Sequence, residues 1–263
     1  RVLIIKVGDK SMRKTKIICT VGPACDNDKI FEKMCLAGMN VARINFSHGT
    51  HPEQQEKFDL IKRVREKLNL PVATLLDTKG PEFRIRTFEN GKITLRAGDT
   101  FTFTTESILG NQEKVSVSYS GLAKDLEVGD IILLNNGLMK FQVEELTDTD
   151  VICKVLVGGE TSNNKSMSFP GKVLQQEYLS EQDKADLLLG IKNDVDFIAL
   201  SFVSNRQDVL DVKEFLKQNT DKYIGLIAKI ENQSGIDNIE EICEECDGIM
   251  IGRGDMGVEI PYE

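Results

Sequence analysis

The chain has no uninterrupted apolar stretch near the ~20 residues that a bilayer-spanning helix requires, so no segment reads as a membrane span. The opening Val-Leu-Ile-Ile run at 2–5 is too short for a secretory core, and no small-residue cleavage site follows it. Positive charge is not in excess. Lys and Arg total 33 against 42 Asp and Glu, a formal net charge of −9. Such a chain has no electrostatic reason to seek nucleic acid or an anionic membrane. An anionic small molecule must then be met by a local cluster of Arg and Lys. Cys243 and Cys246 form a C-x-x-C, but neither a second such pair nor a nearby His completes a tetrahedral zinc site. The dinucleotide-binding glycine fingerprint is missing as well.

What remains is the composition of a globular protein, 40% apolar and 29% charged over 263 residues, enough for one large domain or two ordinary ones. The six cysteines (19, 25, 35, 153, 243 and 246) are scattered through apolar text, which predicts reduced thiols and a cytoplasmic setting. Ile239, Ile242, Cys243 and Cys246 share helical spacing and are expected to form one apolar stripe. Met12 directly precedes the first motif, so the natural start is expected there, with residues 1–11 an upstream extension.

Three strand-like segments open the chain, at 16–21, 41–46 and 72–77, with helical text at 28–37 and 52–69 between them. This is the rhythm of βαβ units and a parallel sheet. The texture changes near Ile85. From there to 173 short alternating runs dominate, punctuated by Gly and Asp, and no helix is expected. The segment reads as an inserted all-β module. Strands at 197–202, 223–230 and 248–251 follow, alternating with helices at 180–189, 207–218 and 236–246. About six βα units without a dinucleotide fingerprint predict an α/β protein, a (β/α)8 TIM-type barrel that is incomplete because closure takes eight strands. A doubly wound open sheet is the alternative. The expected division is 12–84 for the first barrel part, 85–173 for the β module and 174–263 for the second barrel part.

In a barrel, chemistry sits at the C-terminal strand ends. Alternation places Arg43, Asn45 and Ser47 on one face of the second strand, with Ala42, Ile44 and Phe46 on the other. A guanidinium, an amide and a hydroxyl on one face suit an anion and oxygen ligation of a cation; a solvent-exposed edge strand would show the same pattern. The third strand ends in Asp77-Thr78-Lys79-Gly80-Pro81, which is a charged turn or an ordinary polar loop. The fifth puts Lys229 and Glu231 on one face, as a used pair or a structural ion pair. The sixth runs into Gly252-Arg253-Gly254-Asp255-Met256-Gly257, where glycines allow close approach of backbone N–H groups and Asp255 can join Glu231 on a hard divalent ion. Arg253-Gly254-Asp255 also spells an adhesion tripeptide, but the preceding apolar strand places it at a core strand end.

Six motifs occur in one order: KIICTVGP at 16–23, NVARINFSHG at 40–49, LDTKGPEFR at 76–84, SFV at 201–203, AKIEN at 228–232 and RGDMGVEIP at 253–261. Together they resemble the pyruvate kinase family across residues 13–263. The resemblance implies a (β/α)8 barrel with a β-rich lid after the third strand. It implies phosphoryl transfer from phosphoenolpyruvate to ADP, giving pyruvate and ATP. Mg²⁺ (or Mn²⁺) would be held by Glu231 and Asp255, and K⁺ by Asn45, Ser47, Asp77 and the Thr78 carbonyl. Lys229 and Arg43 would act on the transferring phosphoryl group, with Gly254 and Asp255 holding the substrate carboxylate. Asn45, His48, Arg84 and Lys165 would lie on the nucleotide side. A homo-oligomer is implied, a tetramer in the full-length family. Asn135-Asn136-Gly137, the 165–171 stretch and the 175–179 stretch depart from the family's usual text. Two further barrel units and a C-terminal domain belong to the family pattern beyond this chain's last residue. The chain is therefore expected to be inactive, or nearly so, unless another chain supplies that part. A catalytically inactive fragment that retains metal and phosphate binding, or only self-assembly, is the alternative.

Overall fold

The computed structural model describes residues 14–172 and 174–260. The expected start at Met12 and the extension at 1–11 lie outside the described residues.

The chain begins with strand β1 (Ile18–Thr20), helix α1 (Asp28–Ala37), β2 (Val41–Asn45), α2 (His51–Leu68) and β3 (Ala73–Asp77). The helix ends follow from their residues. Asn27 caps α1 by accepting the Ile30 N–H, and Gly38 closes it at φ 105°, a left-handed conformation without penalty for glycine. Thr50 and Glu53 form a capping box on α2, which Asn69 ends at φ 50°.

After β3 come β4 (Phe83–Arg84), β5 (Lys92–Leu95), β6 (Thr100–Thr104), β7 (Lys114–Ser116), α3 (Leu122–Asp125), β8 (Ile131–Leu134), β9 (Met139–Leu146), β10 (Asp150–Val157), β11 (Gly159–Ser162) and β12 (Ser166–Ser168). The single turn α3 corrects the expectation of no helix in this stretch; four residues are too few to show a helical period in sequence. These strands make a seven-stranded sheet, β4-β12-β8-β9-β10-β6-β7, and a pair, β11-β5. They enclose their own core, with Phe101, Phe103 and Phe141 fully buried and in mutual ring contact. The β8–β9 turn holds Asn135, Asn136 and Gly137 all at positive φ, so the second Asn sits where its short polar side chain tolerates the left-handed region.

The chain then returns through α4 (Glu181–Lys192), β13 (Phe197–Leu200), α5 (Arg206–Asn219), β14 (Gly225–Ile230), α6 (Gln233–Asp237), α7 (Ile239–Glu245), β15 (Gly248–Ile251) and α8 (Arg253–Glu259). The helix expected at 236–246 is two helices, because Asn232 starts a short one by capping Gly235 and Asn238 interrupts it. The glycine-rich stretch that follows the sixth strand forms helix α8.

The sheet order is β1-β2-β3-β13-β14-β15, all parallel. β3 pairs directly with β13, so the whole 83–168 module is threaded between two neighbouring strands. A second core lies between this sheet and the helices, built from Phe31, Ile44, Ile61, Leu187, Val209 and Ile242 among others. Among the described residues, no helix is long and apolar enough to cross a membrane.

The cysteines separate by environment. Ile242 is buried and Ile239 and Cys246 pack on the core, but Cys243 is exposed, which corrects its place in the expected stripe. No group of three or more His, Cys, Asp and Glu able to hold a metal occurs among the described residues. Cys153 is fully buried, and burial pushes its thiol up to about 12. At pH 8 its thiolate fraction is then on the order of 10⁻⁴. Alkylation of the native protein followed by peptide mapping is expected to modify Cys243 early and Cys153 only after denaturation. Comparable labelling of both in the native state would contradict this core.

Candidate active site

The C-terminal ends of β2, β3, β13 and β14 converge on one buried cluster of charges. Alternation along β2 sends Ala42 and Ile44 into the helix-side core at 0% exposure and turns Arg43 and Asn45 the other way. The Arg43 guanidinium is held on both sides: Nε donates to Asp77 Oδ2 at 2.5 Å, and Nη1 donates to Thr20 Oγ1 at 2.6 Å. Asp77, at the end of β3, is 1% exposed. Its other oxygen, Oδ1, lies 3.1 Å from Lys229 Nζ. The same ammonium is 3.2 Å from Glu231 Oε1 and donates to Ser201 Oγ at 2.7 Å. Ser201 Oγ in turn donates to the Thr78 carbonyl at 2.6 Å, with Asp77 Oδ1 a more distant acceptor at 3.2 Å. Two cations and two carboxylates thus alternate across adjacent strand ends. That arrangement makes burial of the charges tolerable.

Glu231 is 2% exposed. Burial pushes its carboxyl above the ordinary range and nearby Asp255 adds to this, while Lys229 and the Phe202 N–H pull it back down. The Phe202 N–H donates to Glu231 Oε2 at 3.0 Å from a backbone held at φ 57°, a conformation that costs a bulky residue energy and needs the surrounding structure to hold it. Gly252 packs against the same carboxylate: a Cβ there would stand 2.4 Å from Glu231 Oε1. A carboxylate has about four lone-pair positions, and Lys229 and Phe202 engage two of them. The remaining capacity, with the exposed carboxylate of Asp255 on α8, fits a hard divalent ion that draws its other ligands from water and substrate.

The structure places the other expected residues as follows. Asn45 and Asp77 are register partners on β2 and β3. Asn45 Oδ1 accepts the Ser47 N–H at 2.9 Å, and Thr78 is 3% exposed with its carbonyl already bonded to Ser201. The His48 carbonyl accepts from Gln54 Nε2 at 2.5 Å in the loop after β2. Gly254 and Asp255 lie in the first turn of α8, where N–H groups lack intrahelical acceptors. Arg84 and Lys165 are neighbours on the β module: Ile85 N–H donates to the Lys165 carbonyl, and Arg84 pairs with Glu82 at 2.6 Å and donates to the Asn164 carbonyl. They are brought to each other, with the Arg84 guanidinium turned to the module's own acceptors.

Two cavities flank the cluster. One, of about 400 Å³, lies between the β module and the barrel loops and is lined by Phe83, Met167, Phe202, Asn205, Asp255 and Glu259. The other, of about 420 Å³, is lined by Ser47, His51, Gln54, Lys79 and Asp186. Neither is lined by Arg43, Asp77, Lys229 or Glu231; neighbours of the cluster that do line them include Phe202 in the first and Ser47 and Lys79 in the second. Thr20 and Ser201 were given no role from sequence. Ser201 obeys the same rule that singles out the others, being a polar residue just past a strand's C-terminal end.

The family model for the barrel domain of pyruvate kinase matches residues 12–263. This chain belongs to the pyruvate kinase family. It is 47% identical over 254 residues to a pyruvate kinase of Staphylococcus haemolyticus (strain JCSC1435), covering 96% of this chain and 43% of that protein. It is 45% identical over 253 residues to one of Clostridium perfringens (strain 13 / Type A), covering 96% of this chain and 53% of that protein. The crystal structure of a pyruvate kinase from Cryptosporidium parvum matches with a TM-score of 0.90 at 40% identity, over 95% of this chain and 52% of that one. The chain therefore spans about half the length of the pyruvate kinases it matches.

Proposed function

We propose that the chain carries the phosphoryl-transfer centre of a pyruvate kinase, which moves the phosphoryl group of phosphoenolpyruvate to ADP in glycolysis in the cytoplasm. The observation that carries this reading is the Arg43–Asp77–Lys229–Glu231 cluster at the ends of β2, β3 and β14, with both carboxylates buried. The six parallel strands are six units of a (β/α)8 barrel, and the β module is its lid. The working protein is a homo-oligomer.

The chemistry asked of the residues is electrostatic. In phosphoryl transfer the charge spreads over the equatorial oxygens, and positioned cations stabilise it. Lys229 and Arg43 supply two, pre-oriented by Asp77 and Thr20, so little reorganisation is needed as the P–O bond to the enol oxygen breaks and that to the ADP oxygen forms. The enolate left behind takes up a proton to become pyruvate. Glu231 and Asp255 would hold Mg²⁺ or Mn²⁺, which when bound neutralises phosphoryl and carboxylate charge. Asn45, Ser47, Asp77 and Thr78 would hold K⁺. The first-turn N–H groups of Gly254 and Asp255 would receive the substrate carboxylate. Asn45, His48, Arg84 and Lys165 would contact the nucleotide, the last two carried in by the module.

A chain that binds the metal without turning over is the second reading, favoured by the engagement of the Arg84 guanidinium by Glu82 and the Asn164 carbonyl rather than by the cluster. Glu231→Gln separates metal chemistry from fold. Mn²⁺ affinity, read by the free-ion paramagnetic resonance signal, is expected to fall at least about tenfold, since a charged ligand is replaced by a neutral one. Phosphoenolpyruvate-dependent ATP formation should fall with it. Unchanged Mn²⁺ affinity would remove Glu231 from the metal site. Mn²⁺ binding by the unaltered chain with no ATP formation would select the second reading.

A further inference from the structure

The β module joins the barrel through two crossover segments, outgoing at 78–83 and returning at 169–180, and both meet one buried carboxylate that has no role in the reaction proposed above. Asp183, in the first turn of α4, is 2% exposed. Its Oδ1 accepts the Gly80 N–H of the outgoing segment at 3.1 Å. Its Oδ2 accepts the Ser180 N–H of the returning segment at 3.3 Å, and the Ser180 hydroxyl as well. Capping α4 needs only the Ser180 half of this arrangement. The Gly80 bond spans 103 residues of sequence and is made inside the protein.

Neighbouring contacts fix the same point. Gly80 sits at φ 67° so close to β13 that a Cβ would stand 2.7 Å from the Ser201 carbonyl oxygen. The buried Tyr178 hydroxyl of the returning segment donates to that same carbonyl at 2.7 Å. At the module end both segments are anchored again. Phe83 stacks edge-on against Tyr119 and Phe169, with centroids 5.4 Å apart in each case. Asp125 Oδ2 accepts the Gln175 N–H at 2.8 Å. Between the two sets of anchors lie Pro81–Glu82 on one segment and Gln176–Glu177 on the other. Pro81, Glu82 and Gln176 line the 400 Å³ cavity between module and barrel, together with Asp255 and Phe202.

We propose that Asp183 is a positioning residue for the lid. By clasping both crossover segments it confines bending to 81–82 and 176–177, and so fixes the arc along which Arg84 and Lys165 approach the Lys229 cluster. This rests on the reading of the β module as the lid. A group that acts through the crossover segments, touching none of the reacting atoms, would then affect nucleotide binding more than the phosphoryl-transfer step.

The test is hydrogen exchange on the full chain, comparing Asp183→Asn with Ser180→Ala. Asn in place of Asp loses the charge-assisted acceptor for the Gly80 N–H, whereas Ser180→Ala removes the helix-cap hydroxyl and its bond to Asp183 Oδ2 but leaves the Gly80 and Ser180 N–H bonds in place. Asp183→Asn is expected to speed exchange in peptides covering 78–84 and 174–180 by about tenfold, the size of one lost charge-assisted hydrogen bond, with β9, β10 and β2 unchanged. Ser180→Ala should affect the start of α4 alone. Tyr178→Phe, a milder change, should speed the same two crossover peptides by a smaller factor. Identical profiles for Asp183→Asn and Ser180→Ala would overturn the clasp, leaving a helix cap. A uniform rise across both cores would also overturn it, leaving a residue that only maintains the fold. In turnover, Asp183→Asn should raise the KM for ADP several-fold with kcat within about twofold, a split that a uniform loss of folded protein does not give. Absence of turnover in the unaltered chain would count against the activity reading alone, because exchange is measured without substrate.

Discussion

Lys229→Met is expected to lower phosphoenolpyruvate-dependent ATP formation by at least about a thousandfold, the range in which loss of one preorganised charge at a transferring phosphoryl group falls. Methionine keeps the length and apolar stem of the side chain and removes only the ammonium. That ammonium contacts Asp77, Ser201 and Glu231 together. Without it the cluster holds one cation against two buried carboxylates, and Glu231 is drawn toward protonation, which weakens its grip on a metal. The loss should therefore appear in kcat and in metal affinity, with far-ultraviolet circular dichroism unchanged. A decrease below about tenfold would mean that Lys229 is a structural ion-pair partner only.

Asp77→Ala is expected to destabilise the chain by about 3–5 kcal/mol, the cost typical of removing one partner from a buried charged pair. Asp77 is 1% exposed, accepts from the Arg43 guanidinium and pairs with the Lys229 ammonium, with the Ser201 hydroxyl 3.2 Å away and directed chiefly to the Thr78 carbonyl. Alanine leaves both cations facing an apolar gap with one anion, Glu231, on only one side. Asp77→Asn should cost less, because the amide oxygen still accepts one hydrogen bond. Urea unfolding followed by circular dichroism checks the order: unaltered chain, then Asn, then Ala. A shift below 1 kcal/mol for Asp77→Ala would mean that water reaches the cluster in the folded state.

Much of this was legible in the order of residues. Period-two alternation correctly separated Arg43 and Asn45 from Ala42 and Ile44, because a strand buried against helices on one face cannot slip by a single residue without inverting every side chain. The same rule set Lys229 and Glu231 apart from Ala228 and Ile230. Helix ends at Asn27, Gly38 and Ser180 carried their capping residues on the surface of the sequence. What stayed hidden needed the third dimension. Ser201 stands at a strand end like the others, but its contacts with Thr78 and Lys229 come from the pairing of β3 with β13, whose register partners Leu75 and Phe197 are far apart in the chain. α8 was masked by Gly254 and Gly257, which weaken any helical signal. Asn238, a residue equally at home on a helix surface, divides α6 from α7. The parallel pairing of β6 with β7 inside a mostly antiparallel module has no signature in alternation alone, since both arrangements share the same period.

The central claim is that the Lys229–Glu231 cluster receives a phosphoryl group beside a divalent ion. The phosphorus-31 linewidth of phosphoenolpyruvate, measured with the chain and Mn²⁺, tests it most directly, because paramagnetic broadening falls off steeply with the metal–phosphorus distance and requires no turnover. The account predicts strong broadening with the unaltered chain that disappears in Glu231→Gln. A sharp resonance with the unaltered chain, or the same broadening in Glu231→Gln, would contradict it.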